Sequence, residues 1–322
     1  MTCPGCLKES DEGYCTKCRS VLFDGKKVSS TLLFNSPYEE DSDAFLDHTK
    51  KISISGVQVK YSLKLENNEL RLAETGGQYI LKPIPAGTFK HLAQAPANEH
   101  LTMQIARQVY KLKIPPNAIV FFKDGSPAYL VRRFDQSETG KIQQEDFAQI
   151  AQMTSETHGE NYKYDLSYEE IAALIKKYIP THRIENEKFL QMILFNYVFS
   201  NGDAHLKNFS AIQSSQGDYI LTPAYDLLCT RIHSPEESDL ALSLFKDGFS
   251  KAYEAYGFHT YQDFYEFGRL IGIKESRVKK IISEFSEIHE AIQTLIRRSF
   301  LKDSIKDIYE KLYMDKVKRL NM

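Results

Sequence analysis

The chain has 322 residues, of which 42% are hydrophobic and 26% charged, with a formal net charge of -2. That length suffices for two lobes around a buried core, and the composition excludes a disordered or fibrous protein. The near balance of charge excludes capture of a nucleic-acid backbone by bulk electrostatics, so direct nucleic-acid binding is not expected.

The first residues, Met1-Thr-Cys-Pro, lack the basic and then apolar pattern of a signal peptide. No apolar run is long enough to span a bilayer, so a cytoplasmic location without membrane association is expected, and export by a route without a classical signal stays open. Four of the five cysteines fall at the start, as Cys3-Pro-Gly-Cys6 and Cys15-Thr-Lys-Cys18. Two C-x2-C pairs joined by a short polar segment can supply the tetrahedral thiolate set that zinc accepts, which predicts a structural Zn2+ module over residues 1–22. Structural zinc supplies folding free energy to a segment too short for its own core. Disulfides are disfavoured in a cytoplasmic protein, and a redox C-x-x-C would need thioredoxin-like surroundings that are missing here. Cys229 stands alone and reads as a small buried apolar residue.

Residues 36–50 are acidic and without periodicity, as in a solvated linker. Val57, Val59, Tyr61, Leu63 and Leu65 then alternate with polar residues, predicting a half-buried strand that turns at Asn67-Asn68. A second strand, Gln78 to Pro83, carries Lys82 near its end. A helix from Asn98 carries Glu99 in its first turn, with Leu101, Ile105, Ala106 and Val109 behind. A protein kinase uses a strand lysine to hold nucleotide phosphates and a helix glutamate to orient it, although each residue taken alone reads more readily as a solvated surface charge. Ala118 to Phe122 and Ala128 to Val131 flank Asp124-Gly125 as a hairpin, and Arg132-Arg133-Phe134-Asp135 is expected where the lobes join.

Phe189, Leu190, Ile193, Leu194, Tyr197 and Val198 recur at helical spacing, so a buried helix runs into Asn201-Gly-Asp-Ala-His-Leu-Lys-Asn208. Phe209 to Ile212 and Tyr219 to Leu221 form a hairpin that delivers Asp226. Phosphoryl transfer needs a group to accept the hydroxyl proton, oxygen ligands for Mg2+ and cations against phosphate charge. Asp203 suits the first role, Asn208 and Asp226 the second, and Lys207 the third. His205 fits a loop-fixing role. An isolated Asp-x4-Asn would read as a surface turn. The preceding helix, the following hairpin and the upstream Lys82 and Glu99 argue for catalysis. Farther on, Phe264, Phe267, Leu270, Ile271, Ile281, Ile282, Phe285, Ile288, Ile292, Leu295 and Ile296 have helix-face spacing and predict the core of a larger helical lobe.

Over about residues 50–300 these blocks resemble the HipA family of bacterial toxin kinases. Ser53-Ile-Ser55-Gly-Val-Gln58-Val-Lys60 is similar to that family's Ser-x-x-Gly-x-Gln-x-Lys loop, with Gly56 as its glycine. Tyr79-Ile-Leu-Lys82-Pro, Asn98-Glu99, Arg133-Phe134-Asp135, Asn201 to Asn208 and Pro223-Ala-Tyr-Asp226 follow in family order. The resemblance implies an α+β, two-lobed protein-kinase-like fold: a smaller β-rich lobe over 23–132 and a mainly helical lobe over 133–322, preceded here by a zinc-ribbon-like module. It further implies ATP and Mg2+ as cofactors and transfer to protein serine or threonine. Lys82, Glu99, Ser53, Gly56 and Gln58 would lie at the ATP, and Ser53 or Ser55 would be the site of autophosphorylation. An aminoacyl-tRNA synthetase as protein substrate and an antitoxin as partner are what the family implies, yet nothing in the sequence specifies either one. Longer relatives carry an additional N-terminal subdomain for which this chain has only the cysteine module. Arg132 stands where some relatives have an acidic residue. An exported kinase acting on a host protein, a small-molecule phosphotransferase, and a non-catalytic zinc adaptor with a kinase-like fold are the competing readings.

Overall fold

A computed structural model describes residues 1–37, 59–137 and 140–322. Strand β1 (Tyr61–Glu66) turns through Asn67 and Asn68 into β2 (Glu69–Leu72). Both asparagines are left-handed, at φ 49° and 66°, a region that asparagine tolerates better than most residues. Strands β3 (Tyr79–Pro83), β4 (Asn117–Phe121) and β5 (Pro127–Arg132) complete an antiparallel sheet in the order β2-β1-β3-β5-β4.

Alternation along β4 and β5 divides the side chains between two cores. Ala118, Val120, Ala128 and Leu130 face a cluster with Cys3, Cys6, Cys18, Leu22 and Phe23, so the N-terminal segment and its helix α1 (Thr16–Phe23) cover one face of the sheet. The cysteine segment thus shares its core with the sheet. It also fills the outer edge of β4. Ile119 donates its N–H to the Pro4 carbonyl at 3.0 Å, and its own carbonyl accepts from the Tyr14 hydroxyl at 3.3 Å. Farther along, Phe121 exchanges backbone bonds with Ser30 and Leu32. An edge left open would expose unpaired backbone groups.

Ile119 and Tyr129 point to the other face, against helix α2 (Ala95–Gln108). This helix begins three residues before the expected Asn98, because Pro96 fits the first turn, where its missing N–H costs nothing.

Beyond the sheet come a ribbon of β6 (Gln136–Ser137) and β7 (Gly140–Lys141), then β8 (Gln144–Asp146), α3 (Phe147–Ile150), α4 (Ser155–His158), α5 (Tyr168–Tyr178) and α6 (His182–Val198). Strands β9 (Ser210–Gln213) and β10 (Tyr219–Leu221) join β8 in the order β10-β9-β8. The chain ends in α7 (Lys251–Tyr256), α8 (Tyr261–Leu270), α9 (Glu275–Ser286), α10 (Glu290–Arg298) and α11 (Asp303–Leu320). Helix α6 is buried nearly all round from Phe189 to Val198 and runs through the middle of this lobe, with Phe189 edge-on to Phe209 at 5.2 Å. Gly268 lets α8 approach α9, since a Cβ there would meet Val278 Cγ1 at 2.8 Å.

The result is the expected α+β arrangement of a sheet lobe and a helical lobe. Two residues predicted to be core are not: Leu270 and Ile288 are each 53% exposed. Leu270 is the last residue of α8 and Ile288 lies between α9 and α10, where the chain leaves the helical repeat. Cys229 is buried, as expected. Among the described residues, no helix is long and apolar enough to cross a membrane.

Candidate active site

The site begins with a buried ammonium. Pairing of β3 with β5 sets Lys82 at the mouth between the lobes, and α2 brings Glu99 to it. Lys82 Nζ donates to Glu99 Oε1 at 2.6 Å and also to Asp226 Oδ1. Lys60 Nζ lies 3.8 Å from Asp226 Oδ2. Two ammoniums therefore offset two carboxylates in a place that is almost out of water. Burial alone would raise the Asp226 carboxyl, but the charges of Lys60 and Lys82 prevail and hold it well below the ordinary range. Burial alone would likewise lower Lys82, yet Asp226 and Glu99 prevail and push it upward, so it stays charged. Burial does win at Lys60, whose ammonium is pulled down.

Asp226 takes a left-handed backbone at φ 55°, and its carbonyl accepts from Asn201 Nδ2 at 3.4 Å. Asn201 also holds Asn196 Oδ1 at 2.8 Å, tying the loop after α6 to the helix that precedes it. Gly202 is required by space: a Cβ there would lie 2.5 Å from the Ser238 carbonyl. Asp203 follows, with its carboxylate accepting a 2.5 Å hydrogen bond from the Tyr164 hydroxyl. The His205 N–H donates to Asn208 Oδ1 at 3.1 Å, which closes the 3-10 turn Leu206–Asn208. His205 Nε2 is 4.0 Å from Asp203 Oδ1, and neither ring nitrogen has a hydrogen-bond partner among the described residues. Burial lowers this imidazole to about 4, against the opposing pull of Asp203.

A cleft of about 260 Å³ opens over these groups. Its charged lining includes Lys60, Lys82, Asp146, Lys207 and Asp226, and its apolar and aromatic lining includes Ile80, Val131, Phe134 and Tyr225. Arg133 is held by a bidentate pair to Asp135 at 2.9 and 2.6 Å. Arg132 instead engages Asp24, at 2.7 and 3.1 Å, and so fastens the strand end to the N-terminal segment.

Of the predicted site residues, Lys82, Glu99 and Asp226 are in direct contact, while Asp203, His205, Lys207 and Asn208 share the adjoining loop. Ser53, Ser55, Gly56 and Gln58 lie outside the described residues. Lys60, Tyr164, and Asp146 and Gln149 in the cleft lining have no role assigned from sequence alone. Asn98 has none either. The Asn98 side chain accepts from the Cys229 N–H at 3.0 Å and donates to the Cys229 carbonyl at 2.9 Å, bolting the Glu99 helix to the helical lobe. No signal in the sequence set Asn98 apart, because polar residues stand at half of the positions of α2. Away from the cleft, the sulfurs of Cys3, Cys6, Cys15 and Cys18 all lie within 4.8 Å of one another, and Cys6 and Cys15 are 3.8 Å apart. Zn–S bonds of ~2.3 Å in a tetrahedron set sulfurs about 3.8 Å apart, so the cluster fits a zinc ion.

The family described as HipA-like C-terminal domain matches residues 52–292. A Haemophilus influenzae protein named "Putative kinase" is 29% identical over 332 residues, covering 98% of this chain and 94% of its own length. "Putative kinase Y4dM" of Sinorhizobium fredii is 30% identical over 210 residues, covering 60% of this chain and 48% of its own. In structure, the chain is similar to HipA in the Shewanella oneidensis complex of HipA, HipB and operator DNA. There the TM-score is 0.66 and the identity 22%, over 84% of this chain and 65% of that one. It is also similar to CtkA, a Helicobacter pylori proinflammatory kinase, with TM-score 0.53 and 14% identity, over 82% of this chain and 90% of that one. These likenesses establish the two-lobed kinase-like fold.

Two outcomes follow from the charge arrangement. Lys82→Met removes the ammonium that Glu99 and Asp226 share and should lower stability by about 3–5 kcal/mol, since buried carboxylates left unpaired are costly. Adding Glu99→Gln should restore part of that loss in denaturant titrations, whereas an unchanged midpoint for Lys82→Met would contradict a buried cluster. Folding holds His205 neutral down to about 4 against an ordinary 6.5, so the unfolded chain takes up the proton first. Stability from this group is complete above its unfolded value and is lost as pH falls through that window. An NMR titration should find the imidazole neutral at about pH 5; a midpoint at the ordinary value would contradict it.

Proposed function

The chain belongs to the HipA-like C-terminal domain family, and on that premise we propose that it is an ATP- and Mg2+-dependent serine/threonine protein kinase. The observation that carries this reading is Lys82 joined to both Glu99 and Asp226 beneath a cleft beside the Asp203 loop. Kinase names among the relatives support it.

The residues suit the cofactors. Asp226 and the Asn208 amide oxygen are hard oxygen donors of the kind Mg2+ prefers, and Asn208 Oδ1 uses only one lone pair on His205. When bound, ATP supplies the phosphoryl group and Mg2+ screens its charge. Lys82 holds phosphate oxygens, with Glu99 fixing its direction and Lys60 adding a second cation. Asp203 orients an acceptor hydroxyl and takes its proton. Lys207 offsets charge on the transferred group, and His205 keeps the loop in place as a neutral ring. Ile80, Val131 and Phe134 offer the apolar surface that a base needs.

We assign Ser53, Gly56 and Gln58 to a phosphate-facing loop, with Ser53 or Ser55 as the autophosphorylated residue. A dianion on Ser53 would repel ATP phosphates and switch the enzyme off. The division of labour is a cysteine module at 1–22, a nucleotide lobe at 23–132 and a catalytic lobe at 133–322. The module's zinc is structural, because its four cysteines leave no open position for a substrate. A protein substrate is proposed, of the aminoacyl-tRNA synthetase class or a host protein, and the HipB-bound state of the Shewanella neighbour suggests an antitoxin as partner.

Incubation with labelled ATP and Mg2+ followed by mass spectrometry should place phosphate on Ser53 or Ser55 of the wild type and leave Asp203→Asn unlabelled. Equal labelling of both would remove Asp203 from the chemistry. Native mass spectrometry should find one zinc per chain, and Cys18→Ser should lower its occupancy and the unfolding temperature. A metal-free wild type of undiminished stability would overturn the zinc assignment.

A further inference from the structure

Asp203 is not waiting empty for an acceptor. Its Oδ1 already accepts from the Tyr164 hydroxyl at 2.5 Å, within the reach at which a catalytic carboxylate must meet the hydroxyl it serves. Tyr164 comes from a 3-10 turn, Tyr162–Tyr164, in the polar stretch between α4 and α5. Its ring stands edge-on to His205 at 5.3 Å, so the phenol lies over the catalytic loop on the side of the carboxylate. Lys163 sits 4.9 Å above the same ring. A phenol with an ordinary pKa of ~10 keeps its proton near neutrality and remains a donor, as a serine, a threonine or a water would be.

The segment that carries it lies at the surface, with Tyr162 and Tyr164 half-buried against the edge of the core. Neither α4 nor the 3-10 turn contains a buried residue. Displacing the phenol costs its hydrogen bond to a charged group, a net ~1.5–3 kcal/mol, and the contacts of its ring with His205 and the core edge. An incoming protein surface can supply that, together with a competing hydroxyl, whereas a water molecule brings one hydroxyl and no further contact to displace the ring.

We propose that Tyr164 makes Asp203 selective for a protein hydroxyl over water: its phenol occupies the acceptor position and yields only to a docked protein side chain. The inference rests on Asp203 as the group that receives the acceptor proton. In productive transfer the acceptor O–H bond breaks as its oxygen bonds to the γ-phosphorus. The bond from that phosphorus to the bridging oxygen breaks, ADP leaves, and the proton goes to Asp203. With water as acceptor the same bonds change, and orthophosphate is the product. Tyr164 thus suppresses a wasteful outcome of one reaction and is a specificity residue.

The test uses the full chain with ATP and Mg2+ and no added protein, reading orthophosphate release, phosphate on the chain and thermal unfolding. Tyr164→Phe keeps the ring and removes the donor; Tyr164→Ala removes both. Release should rise about tenfold or more in each, the gain expected when proton transfer at an acceptor becomes available. The rise should vanish when Asp203→Asn is added, with Tyr164→Phe still folded and its unfolding temperature lowered by no more than the loss of one hydrogen bond explains. Equal or reduced release in both variants would overturn the proposal and make Tyr164 a residue that merely aligns Asp203. Phosphate on Tyr164 itself would overturn it too, because the phenol would then be a substrate. If Asp203→Asn alone leaves release and labelling intact, the assignment of Asp203 as the group that takes the acceptor proton fails, and that failure is distinct from a guard that does not guard.

Discussion

Everything in the cleft depends on one buried ammonium. Lys82 comes from the sheet lobe, Glu99 from the helix packed on that sheet, and Asp226 from the helical lobe, and a single Nζ holds both carboxylates. Each of these charges would be expensive to bury alone. Their mutual neutralisation, helped by Lys60, therefore constrains how the lobes meet. The same constraint accounts for the backbone at Asp226, where a left-handed residue is kept in place by the ion pairs on its side chain and by Asn201 on its carbonyl.

A second set of bonds keeps the Glu99 helix from drifting. Asn98 grips both backbone groups of Cys229, and the Thr102 hydroxyl meets the Tyr309 hydroxyl at 2.8 Å, so α2 is tied to the helical lobe as well as to the sheet. The far end of α2 reaches the cysteine segment through Gln108, whose amide donates to the Cys6 carbonyl at 2.8 Å. The N-terminal segment consequently touches the β4 edge, the sheet face, the helix that carries Glu99 and, through Asp24, the strand end beside the cleft. Its fold and the geometry of the sheet lobe are built on shared contacts.

Much of this was legible in the sequence, for identifiable reasons. Period-two alternation marked β1, Asn67-Asn68 and Asp124-Gly125 marked the turns after β1 and β4, and the helical spacing of Phe189 to Val198 marked the core helix ahead of the Asp203 loop. Lys82, Glu99 and Asp226 were identifiable from their order along the chain, a strand lysine, a helix glutamate and an aspartate after a hairpin, and not from any one of them alone. Tyr164 was invisible, since it lies in an aperiodic polar stretch and meets Asp203 only through the tertiary fold. Lys60 was quoted within a motif without a role, because its value comes from the carboxylate opposite it. The misplaced core residues, Leu270 and Ile288, show where periodicity stops being informative: a helix-face pattern continues in sequence past the point where the helix ends.

The most direct measurement of the central claim is ATP binding by calorimetry with and without Mg2+, in the wild type and in Asp226→Asn. If Lys82 and Asp226 form one nucleotide and metal site, Mg2+ will tighten ATP binding to the wild type and fail to do so in the variant. Tightening by Mg2+ of equal size in both proteins would contradict it and place the metal away from Asp226.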